Sequence, residues 1–235
     1  MHIKNFLFPF ACIFALCSLG SPIRDDMAGR NTDFSAGVPN AAFVEYLESD
    51  YDQYIDIYPQ TGNEKNVRVE CAFLVVGSAS SNLNFLFCPS NTDGNSGPRI
   101  IAHTSLMQIR LSCDWSGSLR AANLKLGSKY NLTAEFSSDN TIAWSVNQSS
   151  GMGTRTFYIL GNRYFSIFQG TNYRYNFHGR IYYFRLYIDG VLVRDLLPVR
   201  IGDVGYMYDT LTGDLLANQG TTDFIVGPDI TPLDL

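Results

Sequence analysis

The chain reads Gly179-Arg-Ile-Tyr-Tyr-Phe-Arg-Leu-Tyr-Ile-Asp-Gly-Val-Leu-Val-Arg-Asp-Leu-Leu-Pro-Val-Arg200 across its most regular stretch, with two apolar runs on either side of Asp189-Gly190. This dipeptide predicts a two-residue β-hairpin, because a type I′ turn needs positive φ at both central residues. Farther along, Thr212-Gly213 predicts a second, looser hairpin and Asn218-Gln219-Gly220 a third. The turn residues of segment 179–227 therefore predict an all-β chain.

Strand patterns also recur upstream, about every 8 to 14 residues. Residues 66–76 alternate most clearly, with Arg68 and Glu70 opposite a face of apolar side chains. Further strands are predicted at 43–47, 53–57, 107–113, 130–136, 141–146, 154–160 and 164–168. Residues 137–140 and Gly161-Asn162 are predicted hairpin turns. Since no stretch keeps a helical period, the rhythm is typical of an antiparallel sandwich or a closed barrel.

Both ends of this β region resemble a known family. Tyr46-Leu47-Glu48-Ser49 with Gln53-Tyr54-Ile55-Asp56 is similar to the opening strands of the concanavalin A-like, laminin-G-like jelly-roll domains of secreted bacterial proteins. Segments that resemble the C-terminal block of that family are 179–182, 192–195, 198–200, 205–209 and 223–228. The resemblance implies an all-β, two-sheet antiparallel jelly-roll sandwich whose chain ends pair side by side. It implies little about ligand, because one fold hosts many functions.

The N-terminal residues 1–20 predict a secretory signal peptide. They combine a basic start at Lys4 with an apolar run, 6–19, and end in small residues. That run is too short for a mature membrane anchor, so no transmembrane segment is expected in the mature chain. Residues 21–40 are polar and aperiodic, which indicates a flexible leader, and 41–230 are the predicted sandwich domain.

Lipidation at Cys17 is the alternative to cleavage after Gly20. The tetrapeptide 14–17 loosely resembles a lipobox, although Leu16 is bulkier than the small residue expected before the cysteine. Both alternatives predict a secreted or cell-envelope protein.

Charge and cysteine content exclude several classes of partner and site. The formal net charge is −5, and losing residues 1–20 removes one lysine and no carboxylate. A mildly acidic chain without a Lys/Arg cluster argues against nucleic acid or an anionic membrane as partner. Cys71, Cys88 and Cys113 would remain and allow at most one disulfide, whose pairing the sequence leaves open. Cys71 and Cys113 alternate in phase with apolar residues and are predicted core positions, and no Cys/His cluster suggests zinc.

Catalytic motifs are missing from the pattern. Glycan hydrolases of the implied fold usually carry two carboxylates at alternate positions of one strand. The nearest approaches are Glu48 with Asp50, Asp114 and Asp195. Each is more simply a turn former or a solvated side chain. His103 and His178 lie far from any Gly-x-Ser-x-Gly elbow and are predicted at a strand end and a turn.

The loop 169–176 is the strongest predicted binding segment. It lies outside the strand pattern and offers rings for stacking on a sugar together with polar side chains for its hydroxyls. The predicted ligand-binding residues are Asn172, Tyr173, Arg174, Tyr175 and Asn176, with Trp115 as a separate exposed aromatic. Other aromatics nearby, such as Phe184, are predicted core residues, and Trp144 is predicted as core in mid-strand.

No cofactor is predicted, although segment 91–95 has oxygen donors at alternate positions that could suit calcium. It lacks the acidic ligand that completes an EF-hand loop, and such clusters are ordinary turn chemistry. The sequence favours a secreted, non-catalytic jelly-roll module that binds carbohydrate or a cell-surface protein. A glycan hydrolase of the same fold and a purely structural or adhesion subunit are the alternatives.

Overall fold

The computed structural model describes residues 40–50, 52–77, 82–90, 97–113, 117–157, 159, 161, 163–169 and 176–231. The strands among them are β1 (Ala41–Phe43), β2 (Leu47–Asp50), β3 (Ile55–Gln60), β4 (Asn66–Val75), β5 (Leu83–Ser90), β6 (Arg99–His103), β7 (Gln108–Ser112), β8 (Leu119–Asn123), β9 (Lys129–Ser137), β10 (Thr141–Val146), β11 (Ser149–Thr154), β12 (Arg163–Ile167), β13 (His178–Ile188), β14 (Val191–Ile201), β15 (Val204–Asp209), β16 (Leu215–Ala217) and β17 (Ile225–Val226). Within these ranges, no helix has the length and hydrophobicity that crossing a membrane would require. The predicted signal peptide with Cys17, and the leader up to residue 39, lie outside the described residues.

The strands form two antiparallel sheets. The larger follows the order β11-β10-β9-β4-β13-β14-β15-β16, with β1 beside β14, β2 beside β13 and β17 beside β2. The smaller follows the order β3-β12-β5-β6-β7-β8. Buried side chains from both sheets form one main core between them. At its centre the Phe87 ring of β5 stacks on Phe165 at 5.2 Å and meets Phe184 of β13 at 5.7 Å, centroid to centroid.

The Asp189-Gly190 hairpin is confirmed. Asp189 has φ 50° and Gly190 φ 82°, and Ile188 pairs with Val191 across the turn. The Asp189 carboxylate also accepts hydrogen bonds from the backbone N–H groups at residues 65 and 66, at 2.9 and 2.8 Å. The turn therefore both closes the hairpin and holds the start of β4.

The two later hairpin predictions have opposite outcomes. β15 pairs with β16 around Gly213, at φ 79°, so the second hairpin is confirmed. The third is wrong, because β17 pairs with β2 rather than with β16. The Asn218 side-chain oxygen accepts the N–H of Gly220 at 2.9 Å and that of Tyr54 at 3.0 Å. These contacts tie the turn to the N-terminal part of the chain instead of folding it back.

Two predictions in the middle of the chain are also wrong. The strand predicted at 154–160 is not formed, since Thr154 ends β11 and the described residues after it are irregular. Asn140 redirects this segment, because its carbonyl and its side-chain oxygen accept the N–H groups of Arg155 and Phe157. The hairpin predicted at Gly161-Asn162 is replaced by pairing of β12 with β3 and β5.

The predicted pairing of the chain ends is confirmed, although the strand predicted at 43–47 divides into β1 and β2. β17 pairs with β2, and Val44 forms a bridge with Asp229. The fully buried Gln53 connects the N-terminal and C-terminal segments through hydrogen bonds. Its Nε2 donates to Thr222 Oγ1 and to the carbonyl of Asp223, both at 2.8 Å. A buried amide with satisfied bonds on both sides specifies one arrangement of the two ends.

The three described cysteines are buried, and no disulfide joins them to one another. Cys71 and Cys113 belong to the main core, as predicted. Burial raises the pKa of the Cys71 thiol above its usual range and that of Cys88 to about 12. Trp144 is mid-strand as predicted but only half-buried, packed against the core from its edge.

Glu48 and Asp195 correct the sequence interpretation, because neither is a turn former or a solvated side chain. Glu48 Oε2 lies 2.5 Å from Arg180 Nε. Asp195 is 1% exposed and accepts from Arg185 Nε at 3.1 Å and from Thr210 Oγ1 at 2.8 Å. Both carboxylates are structural partners of arginines on β13.

Replacing Gly190 with valine should lower the free energy of unfolding by more than about 1 kcal/mol. A Cβ at this position meets no atom within 4 Å, so the cost comes from forcing a β-branched residue to φ 82°. Val191→Thr, at a neighbouring exposed position, is the matched control. Urea unfolding measures both, and a Gly190→Val protein with wild-type stability would contradict the turn assignment.

Candidate functional site

The smaller sheet presents two different faces, because successive side chains of a strand point to opposite sides. One face enters the main core through Leu86, Phe87, Ile100, Ile109 and Leu111. The opposite face, called here the outer face, carries a separate buried cluster of Phe85, Cys88 and Ile101, with Leu83 packed against it.

A pocket of about 110 Å³ opens on this outer face. Its lining residues are Leu83, Arg99, Ile101, His103, Arg110, Ser112, Gly117 and Ser118. Strand register assembles them, since Arg99 pairs with Ser112, Ile101 with Arg110, and His103 with Gln108. The lining thus combines two guanidinium groups, an imidazole and two hydroxyls with an apolar side, and none of its described residues is a carboxylate.

Arg99 is the deepest charged group of the pocket, with none of its surface exposed. Burying a guanidinium costs free energy unless polar groups surround it. The position of Arg99 beneath the pocket therefore indicates a polar environment within an otherwise apolar sheet. Its charge reaches Cys88 on the neighbouring strand. Burial dominates the raised pKa of that thiol, while Arg99 acts in the opposite direction and Asp56 adds to the rise.

Arg110 is held in place by neutral oxygens. Its Nε donates to Ser118 Oγ at 2.5 Å, Nη2 to the Ser118 carbonyl at 3.2 Å and Nη1 to Gln108 Oε1 at 3.3 Å. Ser112 Oγ donates to the carbonyl of Gly117 at 3.1 Å and so fixes the segment that carries Ser118. The guanidinium is therefore oriented without an ion pair among the described residues.

His103 stands at the mouth of the pocket, half-buried at the end of β6. Burial lowers its pKa, and the charge of Arg110 lowers it further. The ring is therefore mainly neutral at pH 7. Nδ1 lies 3.3 Å from Ser105 Oγ, and the tautomer decides which atom donates.

The outer face continues across β12 and β3. Tyr164 is 48% exposed and Ser166 lies on the same side, since Phe165 between them points into the main core. Ser166 Oγ donates to the carboxylate of Asp56, whose pKa is raised by burial and lowered by that bond. β12 is two strands from β6, so Tyr164 stands roughly 10 Å across the sheet from the strand that carries Arg99.

Most of the ligand residues predicted from the sequence, Asn172, Tyr173, Arg174, Tyr175 and Trp115, lie outside the described residues, as does segment 91–95. Asn176 is described: it is half-buried and its Oδ1 is shielded from solvent.

Three described residues near these segments in the chain contact the outer face. The carbonyl of Gln169 accepts a hydrogen bond from Cys88 Sγ at 2.8 Å. Ser112 and Gly117, which precede and follow the segment that contains Trp115, line the pocket.

Sequence reasoning missed Arg99 and Arg110 and placed His103 only at a strand end. A usable signal existed in Gln108-Ile-Arg-Leu-Ser112, where polar residues occupy alternate positions, and in Arg99 and His103, which share one face of their strand on either side of Ile101. What the pattern lacked was the register that sets these strands side by side. Nor do the described residues contain a group of three or more His, Cys, Asp and Glu side chains placed to hold a metal ion.

A second, wider cleft of about 1020 Å³ lies between β8 of the smaller sheet and β9 to β11 of the larger. Its lining residues are Arg120, Ala121, Ala122, Asn123, Lys129, Tyr130, Asn131, Val146, Asn147, Gln148 and Ser149. Its groups mostly serve the fold: Asn147 Oδ1 accepts the N–H of Asn131 at 2.8 Å, and the Lys129 ammonium lies 3.7 Å above the Tyr182 ring. Its described charged side chains are exposed, in contrast to Arg99.

No protein-family model matches this chain, and no curated protein matches it in sequence. Among solved structures, the heptameric SAP-like pentraxin from Limulus polyphemus is similar, with a TM-score of 0.53 at 12% identity over 82% of this chain and 95% of that one. That likeness shows the fold. The chain is a concanavalin A-like jelly-roll sandwich, as the resemblance in the sequence implied.

More distant similarities reach a family 7 alginate lyase A1-II′ and Trypanosoma rangeli sialidase. The alginate lyase gives a TM-score of 0.37 at 13% identity, over 55% of this chain and 65% of that one. The sialidase gives 0.41 at 10% identity, over 63% of this chain and 27% of that one. This chain therefore matches under two thirds of either protein.

His103 should titrate below the ordinary histidine value of 6.5. Arg110→Gln should raise its midpoint, because a neighbouring positive charge is removed, yet leave it below 6.5 because burial persists. Since folding lowers this pKa, the unfolded chain binds more protons, and stability falls as pH drops from 6.5 through the folded midpoint. NMR titration of the imidazole, assigned with His103→Gln, measures the shift. Arg68→Gln, on β4 of the larger sheet, should leave the midpoint unchanged, and an unshifted midpoint in Arg110→Gln would contradict the proximity.

Proposed function

We propose that this domain is a glycan-binding module whose binding surface is the outer face of the smaller sheet. The observation that carries the proposal is the pocket formed by Arg99, His103 and Arg110 on the same face as the exposed ring of Tyr164. Sugar recognition needs both chemistries, since a ring stacks on the apolar side of a pyranose and fixed donors bond its hydroxyls.

The pocket is also prepared for binding before a ligand arrives. Three hydrogen bonds orient the Arg110 side chain, so little conformational freedom is lost when a ligand binds there. Asn172, Tyr173, Arg174, Tyr175 and Asn176, together with Trp115, are proposed as further contacts. The support for them is the attachment of Gln169 and Gly117 to the same face.

A glycan hydrolase is the competing function. The observation that favours it is Asp56, because burial raises its pKa as a general acid requires. Glycoside hydrolysis commonly needs a second carboxylate about 5 to 10 Å away. The described lining of the pocket offers none, so binding without catalysis is the better supported function.

A glycan array probed with the purified chain tests this proposal. We expect binding to at least one glycan, and Arg110→Gln should weaken it at least tenfold at an unchanged melting temperature, because a half-exposed side chain contributes little to folding. Tyr164→Ala should also weaken it through lost stacking. Arg68→Gln is the matched control, since it removes an arginine from β4 of the larger sheet.

The competing functions give different results in the same experiment. Release of reducing sugar, abolished by Asp56→Asn, would favour the hydrolase. A chain that binds no glycan would favour a protein partner or a structural subunit. Binding unaltered in Arg110→Gln and Tyr164→Ala but lost in the double variant Tyr173→Ala, Tyr175→Ala would move the site to the loop 172–176.

We further propose that the protein is exported through residues 1–20, on the strength of their basic start and apolar run. Intact-mass analysis of protein recovered from the envelope or medium of a bacterial host should give an N-terminus at Ser21. A mass that fits a lipid-modified Cys17 would replace cleavage after Gly20 with the lipoprotein alternative, and an intact Met1 would contradict export.

A further inference from the structure

We propose that the outer-face pocket selects acidic glycans, whose carboxylate or sulfate group binds at His103 and Arg110, above the buried Arg99. This inference rests on the glycan-binding function proposed above and specifies the chemical class of the ligand. It is drawn from the pairing of the arginines, the size of the pocket and the charge of the whole chain.

Arg110 differs from most of the described arginines in its partners. Arg68, Arg180, Arg185, Arg194 and Arg200 each lie within 4.0 Å of a carboxylate, at N–O distances from 2.5 to 3.6 Å. Arg110 instead donates to a hydroxyl, a carbonyl and a side-chain amide oxygen. Its position is therefore fixed while its charge is left without a counter-ion among the described residues.

A second arginine lies beside Arg110 in the lining of the pocket. Arg99 is fully buried on the neighbouring strand and lines the same pocket. In a half-buried site the attraction between a guanidinium and an anion is several times stronger than in bulk water. A guanidinium also matches the oxygens of carboxylate or sulfate in a two-pronged geometry, and such charge-assisted bonds are about twice as strong as neutral ones.

The size of the pocket is compatible with an acidic group. Its volume of about 110 Å³ is large enough for a carboxylate or sulfate group. The acidic group therefore occupies the pocket, while the ring that bears it lies on the outer face, which extends toward Tyr164.

The remainder of the chain disfavours polyanions. Its formal net charge is −5 and its isoelectric point about 5.1. Non-specific attraction of an acidic polysaccharide would need a positive surface, so retention of such a polymer points to a local cationic site. Arg110 offers that site and His103, close beside it, adds a ring N–H donor.

Matched pairs of polymers provide the test. Affinity electrophoresis of the full chain is run in gels that contain polygalacturonate, its fully methyl-esterified form, dextran sulfate or dextran. We expect retardation by an acidic member and at least tenfold weaker retardation by its neutral partner, because only the charged group is changed. The polygalacturonate pair reports on carboxylates and the dextran pair on sulfates. Rising salt should weaken the interaction.

Variants then locate the effect. Arg110→Gln should reduce binding of the acidic polymer at least tenfold. Arg110→Lys should bind more tightly than Arg110→Gln but more weakly than the wild type, since lysine restores the positive charge without the two-pronged guanidinium geometry. Arg68→Gln, on β4 of the larger sheet, should bind as the wild type does. Should Arg110→Gln fail to fold, the comparison of acidic with neutral polymers on the wild-type chain still decides the proposal.

The possible failures can be distinguished. Equal binding of the acidic and neutral polymers of a pair would overturn the acidic preference but not glycan binding. Binding of only neutral glycans on the array would have the same consequence. Full binding of acidic polymer by a folded Arg110→Gln protein would also overturn it. Failure to bind any glycan, acidic or neutral, would overturn the proposed function itself.

Discussion

Strand β13 is the element on which the rest of the structure depends. It pairs with β4 along one edge, and along the other with β2 at its start and β14 at its end. β2 in turn carries β17, so both ends of the domain are held through this strand. Its inward side chains, Phe184 among them, meet the smaller sheet across the core. Pairing over 11 residues fixes which side chains point inward, because a slip by one residue would exchange the two faces.

The two sheets use their outward faces differently. On the larger sheet the arginines are neutralised locally: Arg68 lies 3.7 Å above the Tyr187 ring and 3.4 Å from Glu70, and Arg185 bonds Asp195. On the smaller sheet Arg110 is fixed by neutral oxygens beside the buried Arg99. The first arrangement satisfies charge within the fold. The second keeps positive charge available in a pocket, and this asymmetry is why the smaller sheet is the candidate binding surface.

The sequence predictions succeeded where the signal was local. Asp189-Gly190 needs positive φ whatever surrounds it, and the burial of β4 alternates at every position except Ala72, so both follow from neighbouring residues alone. β11, with its Ser and Gly residues, has weak strand propensity and forms because β10 pairs along its whole length. The misplaced hairpin at residues 218–220 has the same origin, since Asn218 binds Tyr54, more than 160 residues away in the chain.

The sequence by itself therefore determined the all-β class and the turns at Asp189-Gly190 and Gly213, because turn chemistry and alternation are properties of short segments. The pairing of the chain ends followed from the family resemblance. The candidate site was decided by tertiary structure. Arg99, His103 and Arg110 lie at ordinary alternate positions of two strands and become a pocket only when register places those strands side by side. Whether an arginine meets a carboxylate or a serine depends on that same register. Charge availability, and with it the chemistry of the site, is thus a property of the folded sheet.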